Sequence, residues 1–436
     1  SKEELIEKLK DFSENSNYIS KKKFDKKEKI KTVFVFPGQG AQWISMGKHL
    51  LQNEPVFKSA LDECAHVFSS FVDWDLLDEI NKNETESRLH EIDIVQPVLV
   101  AIEIALANLW MSKGVFPDIV IGHSMGEIAA AYVAGNITIS DAAKIIITRS
   151  LLMKQLSGKG AMGATDLTLE EAQELLNGYE DKLAVAVING KNSTVISGDP
   201  SALNQVFEKL ETQGRFNRKI KVDVASHSPQ MDVIKHDLFQ ALQNIQPQNS
   251  NIQFYSTATD EIVEGKNLSA DYWVKNLRNT VQFGNAVQHV LQDTQVAFIE
   301  MSPHPLLIHA LNENIQDAKA VAISSFTRDK NEIVEFYTNL GELHASGFSI
   351  DWKNIYPNIN KFIQLPNYAW QKERYWFDQQ PEFTTINTSI KKDLSKNLYT
   401  FNWKETTINK KKKKKTILII KDNYNHYTVV EEVLKS

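Results

Sequence analysis

The chain has 436 residues, 49 Lys+Arg against 55 Asp+Glu and a formal net charge of −6, with 42% apolar and 9% aromatic residues. That is enough apolar material for a real core and too much for a disordered chain, and at about 150 residues per domain it allows two or three units. The mildly acidic balance speaks against nucleic acid as main partner, no unbroken apolar run approaches the ~18 residues of a membrane span, and the one cysteine, Cys64, excludes an internal disulfide or a Cys-based zinc site.

The opening residues are charged rather than signal-like, and a reducing cytoplasm fits. Leu5, Ile6, Leu9 and Phe12 mark a short amphipathic helix, followed by a lysine-rich stretch that reads as a solvated linker. An all-apolar strand is expected over 32–36, ending at the turn Pro37-Gly38-Gln39-Gly40. Val95, Val98, Leu99, Ile102, Leu106 and Leu109 fall at helical spacing, interrupted in hydropathy by Glu103 and Asn108. A second apolar strand, 119–121, runs directly into Gly122-His123-Ser124-Met125-Gly126, and helix formers follow over 127–134. Strand, glycine-flanked serine and helix form the pattern of a mostly parallel α/β sheet.

Residues 158–222 read differently. A strand (160–164), a helix (169–176), two strands (183–187 and 194–197) about the turn 189–192, a helix (203–210) and a strand (219–224) give the order βαββαβ. That order predicts a ferredoxin-like subdomain inserted into the larger sheet domain. Core strands are expected to return at 254–257 and 296–299, with a helix over 332–345. An aromatic segment follows at 365–376, then a polar tail with lysines at 410–415 and a strand-like 416–420.

The pentapeptide 122–126 is a G-x-S-x-G. On a strand-to-helix turn this makes a nucleophile elbow, which lifts the Ser124 hydroxyl at the sheet's carboxyl edge. A serine needs a base. His227 follows the last strand of the insertion, where the chain re-enters the main domain; the residues alone leave it either the base or a surface histidine. Asp199, Asp223 and Asp232 are available as an acidic third member, and none is singled out. The Met125 N–H is a natural oxyanion donor, and a second should come from the 38–40 loop. Arg149 ends the apolar helix 142–147, where a cation usually meets the helix dipole. No P-loop, dinucleotide fingerprint or H-E-x-x-H motif occurs.

Four blocks together resemble the acyltransferase domain of type I polyketide synthases: residues 36–43 (FPGQGAQW), 122–127 (GHSMGE), 224–229 (VASHSP) and 301–305 (MSPHP). The resemblance spans about 32–378. It implies an α/β-hydrolase-like core with a mostly parallel sheet at 32–157 and 223–330, carrying the ferredoxin-like insertion at 158–222. Residues 1–31 would end a ketosynthase-to-acyltransferase linker, 331–380 would be the linker that follows such domains, and 381–436 a polar linker with the truncated start of a ketoreductase-like domain. The implied activity is transfer of a malonyl-type extender unit from CoA to the phosphopantetheine thiol of an acyl carrier protein through a seryl ester, with no resident cofactor or metal. The implied partners are malonyl-CoA or methylmalonyl-CoA, the carrier protein and a neighbouring ketosynthase, without nucleic acid or membrane.

By resemblance Ser124 is the nucleophile and His227 its base, supported by backbone carbonyls near His304 rather than by an acidic side chain. The Gln39 and Met125 N–H groups form the oxyanion hole, and Arg149 grips the extender's free carboxylate. Gln96, Asn189 and Ser226 line the pocket. Ser226, small and just before the histidine, leaves room for a methyl group, whereas Met125 is not the glutamine typical of methylmalonyl-loading domains; the reading leans to malonyl. Two other readings compete: an α/β-hydrolase esterase, which shares G-x-S-x-G but has no use for Arg149, and a silent docking module.

Overall fold

The computed structural model describes residues 2–14, 24–25, 28–222, 224–292, 295–316, 318–356, 364–367 and 370. The chain divides into two compact units, residues 1–362 and 363–436. The aromatic segment lies largely outside the described residues, as do most of the first lysine stretch, the 410–415 lysines, the 416–420 strand and Asp223. Among the described residues of the first unit there are ten strands: β1 (Ile30–Phe36), β2 (Ile119–Gly122), β3 (Ala161–Thr165), β4 (Leu183–Gly190), β5 (Ser193–Gly198), β6 (Asn217–Ile220), β7 (Gln253–Ser256), β8 (Glu261–Val263), β9 (Gln295–Glu300) and β10 (Ala320–Ser324).

The larger sheet has the order β10-β9-β1-β2-β7-β8. All its pairings are parallel except the β7–β8 hairpin. β1 and β2 lie at its centre, and Val33–Phe36 and Ile119–Gly122 are buried on both faces, which is why they read as unbroken apolar runs. The helix Ile92–Ser112 is long and apolar enough to cross a membrane by composition, yet 94% of its most apolar window is buried within the protein. It is the central core helix, with Pro97 near its start.

The second sheet, β4-β5-β3-β6, is antiparallel throughout and backed by the helices Leu169–Leu175 and Pro200–Thr212. That is the ferredoxin-like arrangement expected from the βαββαβ order. Two boundaries differ from expectation. β4 runs on to Gly190, so the turn shrinks to Lys191 and Asn192, because Gly190 pairs with Ser193. β6 covers 217–220 rather than 219–224: the Val222 N–H turns back onto the Ile220 carbonyl at 2.9 Å, which ends the strand, and Val224 and Ala225 are buried beyond it.

The loop after β1 is held from far along the chain. The buried Glu332 carboxylate accepts the N–H groups of Gly47 (2.7 Å), His49 (2.9 Å) and Leu50 (3.0 Å), capping the helix Lys48–Asn53, whose own N-cap residue has no side chain to do so. Glu332→Ala leaves these donors without a partner and is expected to lower stability by about 2–4 kcal/mol. Urea unfolding measures it; an unchanged midpoint would show that the cap contributes nothing.

Candidate active site

Ser124 sits between β2 and the helix Gly126–Val133, with a left-handed backbone at φ 56°. The two flanking glycines make that bend possible. A Cβ on Gly122 would lie 2.2 Å from the Glu127 nitrogen, and one on Gly126 would lie 2.1 Å from the Phe36 carbonyl oxygen. The first turn of the helix therefore presses directly on the ends of β1 and β2, and the serine side chain is forced outward.

His227, also left-handed at φ 59°, lies on the segment returning from the insertion. Its Nε2 is 2.7 Å from Ser124 Oγ and its Nδ1 is 2.8 Å from the Asn279 carbonyl oxygen. A carbonyl can only accept, so the proton is on Nδ1 and the Nε2 lone pair faces the serine hydroxyl. Asn279 is the C-cap residue of the helix Ala270–Arg278, where carbonyls lack intrahelical partners. The Leu277 carbonyl at the same end takes the His227 backbone N–H at 3.2 Å. Burial first, then the Arg149 charge, depress the imidazole from 6.5 to about 3, so the resting ring is neutral. His123 beside it is likewise held neutral, lowered by burial to about 4.

Arg149 does not end its helix. The helix runs Ile139–Lys154, so the arginine is an interior residue whose side chain turns into the core with 3% exposure; the dipole reading is replaced by a buried guanidinium. Nη1 donates to Asn276 Oδ1 at 2.6 Å and Nη2 to Ser124 Oγ at 2.9 Å, while Nε is buried without a partner. Its partners among the described residues are thus both neutral. Burial lowers its pKa from 12.5 to about 10, with the charge of Glu127 opposing, so it remains a cation.

These groups face a cavity of about 490 Å³. Gln39, Met125, Gln96, Asn189 and Ser226 line it too, and Met162, Val187 and Val195 of the insertion form its other wall. Gln96 Nε2 donates to Gln39 Oε1 at 3.2 Å, and Asn189 Oδ1 lies 3.3 Å from His123 Nε2. Among the described residues neither the Gln39 nor the Met125 N–H has an acceptor.

His304 does not fit its expected place. Its carbonyl accepts the Ser302 hydroxyl at 2.8 Å and its Nδ1 accepts the Arg328 N–H at 3.3 Å, so the carbonyl that orients His227 is that of Asn279. Asp199 caps the helix Pro200–Thr212 through the Ala202 N–H, and Asp232 pairs with Arg278 and Lys235; neither serves His227. Sequence reasoning missed Asn276 and Asn279. One signal was available: Tyr272 and Asn276 stand four residues apart, on one face of the helix, and both are buried against Glu127.

The family model described as the acyl transferase domain matches residues 33–350. The chain is 41% identical over 348 residues to erythronolide synthase EryA2 of Saccharopolyspora erythraea, covering 79% of this chain and 10% of that protein. It is 38% identical over 355 residues to mycoketide-CoA synthase of Mycobacterium tuberculosis, covering 80% and 8% respectively. The chain therefore spans about a tenth of these relatives' length. Among solved structures it is similar to the acyltransferase domain from module 8 of the salinomycin polyketide synthase, with a TM-score of 0.73 at 42% identity over 74% of this chain and 77% of that one. It is also similar to a loading acyltransferase from the avermectin modular polyketide synthase, with a TM-score of 0.69 at 37% identity over 72% and 99%.

Proposed function

Since the chain belongs to the acyl transferase domain family of modular polyketide synthases, and is an acyltransferase on that ground, we propose that it moves a malonyl-type extender unit from CoA to the phosphopantetheine thiol of an acyl carrier protein. The observation that carries the choice of a carboxylated acyl group is Arg149. A buried guanidinium whose partners among the described residues are neutral, with Nε unpartnered, suits a carboxylate that can take its fork.

In this reading His227 Nε2 takes the Ser124 proton as the oxygen attacks the thioester carbonyl. The Gln39 and Met125 N–H groups, without acceptors of their own, receive the developing oxyanion. The carbonyls that anchor His227 also favour the imidazolium while it exists. Collapse expels the CoA sulfur, which leaves with the imidazolium proton. The carrier thiol then enters and gives its proton to His227 as its sulfur attacks the seryl ester; collapse breaks the ester C–O bond, and Ser124 Oγ leaves with that proton from the imidazolium. Once a substrate carboxylate neutralises Arg149, the positive charge that depresses the imidazole is offset, so a charged acyl group eases proton transfer in its own reaction. The reaction needs no resident cofactor. Of the two extenders malonyl is favoured, and the discrimination against one extra methyl is worth about 1–3 kcal/mol.

Intact mass after separate mixing with malonyl-CoA and methylmalonyl-CoA tests the reading. An adduct on the wild type that is absent from Ser124→Ala is expected, and no adduct with either substrate would overturn it. The depressed His227 also predicts a pH profile. The base form of a histidine is lost as pH falls through its pKa, here about 3. The rate of Ser124 acylation by rapid quench should therefore hold down to about pH 5, where an ordinary histidine would be largely protonated. An inflection near the ordinary value would contradict it.

A further inference from the structure

Arg149 keeps its charge in the core without touching a carboxylate among the described residues. The countercharge that acts on it is Glu127, fully buried in the first turn of the helix after Ser124. Between them stands Asn276. Its Oδ1 accepts from Arg149 Nη1 at 2.6 Å, and its Nδ2 donates to Glu127 Oε2 at 2.7 Å and to the Ser124 carbonyl at 3.0 Å. The amide cannot be turned round. A carboxylate and a carbonyl only accept and a guanidinium only donates, so the amide oxygen can face only Arg149 and the amide nitrogen only Glu127 and the Ser124 carbonyl. Glu127 is itself held by the Tyr272 hydroxyl (2.6 Å), the Thr257 N–H (2.6 Å) and the Thr257 hydroxyl (2.8 Å).

We propose that Asn276 is a positioning residue that holds Arg149 by one nitrogen and keeps Glu127 one amide away, so the guanidinium fork is not claimed by a protein carboxylate and stays open to the carboxylate of an incoming acyl group. The inference rests on the clamp reading of Arg149 and deepens it, since it places acyl selectivity partly in a residue that touches no substrate. A carboxylate at this position would bind Arg149 through two oxygens and claim the fork; the neutral amide occupies a single N–H.

The test is the ratio of Ser124 acylation rates with malonyl-CoA and with acetyl-CoA, followed by rapid quench and intact mass on the full chain. Wild type, Asn276→Asp, Asn276→Ser and Arg149→Ala are compared. Asn276→Asp is expected to lower the malonyl-to-acetyl ratio about 30-fold or more. Asn276→Ser should lower it about tenfold, mainly through KM for malonyl-CoA, and carries the test if the aspartate variant does not fold. If Arg149→Ala collapses the ratio while both Asn276 variants keep it, or if their rates with the two acyl groups fall in parallel, the role given to Asn276 is overturned and the clamp stands. If Arg149→Ala also keeps the ratio, the clamp reading falls and takes the proposal with it.

Discussion

Replacing Arg149 with alanine is expected to lower malonyl loading steeply and to spare, or raise, loading of uncharged acyl groups. Removing one partner of a buried charge-assisted pair costs about 2–5 kcal/mol, a factor of roughly 30 to 3,000 at 1.4 kcal/mol per tenfold. Two changes act together on the uncharged substrate. The Nη2 donor leaves Ser124 Oγ, to which it now donates at 2.9 Å, freeing a lone pair for attack. The charge that helps depress His227 disappears as well. The kcat/KM values for malonyl-CoA and acetyl-CoA measure both effects, and equal losses with the two substrates would show that Arg149 serves packing alone.

Gly126→Ala is expected to prevent folding or to cost more than about 4 kcal/mol. The added Cβ would sit 2.1 Å from the Phe36 carbonyl oxygen and 2.4 Å from that of Pro37. Both obstacles are backbone at the sheet's central strand, where no side-chain rotation can relieve the clash. Gly158→Ala is the control. Its φ is +79° with nothing within 4 Å of the new atom, so only the left-handed backbone is charged against it, about 1–2 kcal/mol. Urea unfolding of the two variants separates steric exclusion from backbone preference; similar losses would mean that the elbow tolerates a methyl group.

Legibility followed locality. β1 and β2 announce themselves because burial on both faces leaves no polar position, and Ser124 because the glycines needed for its bend are its own neighbours. The βαββαβ order gave the insertion, although β8 and β10, short or at a sheet edge, left no pattern strong enough to read. Arg149 reads as a helix end because the apolar run 142–147 stops just before it, yet the helix continues through Leu151, Leu152 and Met153 to Lys154. The acceptor for His227 Nδ1 could not be found from side chains at all, since every residue has a carbonyl. What selects Asn279 is the end of the helix Ala270–Arg278, a tertiary fact. Asn276 is a similar case: 149 positions separate it from Glu127, and although Glu127 closes the 122–127 block, nothing local ties the two together.

The insertion leaves and rejoins the main domain through neighbouring strands, β3 and β6. Their outer ends are so close that a Cβ on Gly160 would meet the Ala225 nitrogen at 2.1 Å. Excising the chain between Gly160 and Ala225 would thus leave two ends almost touching, and bridging them would require little loop-closure entropy. One wall of the acyl chamber is therefore a cassette: its lining can be exchanged as a block, with Ser124, His227 and Arg149 left on the framework that holds them.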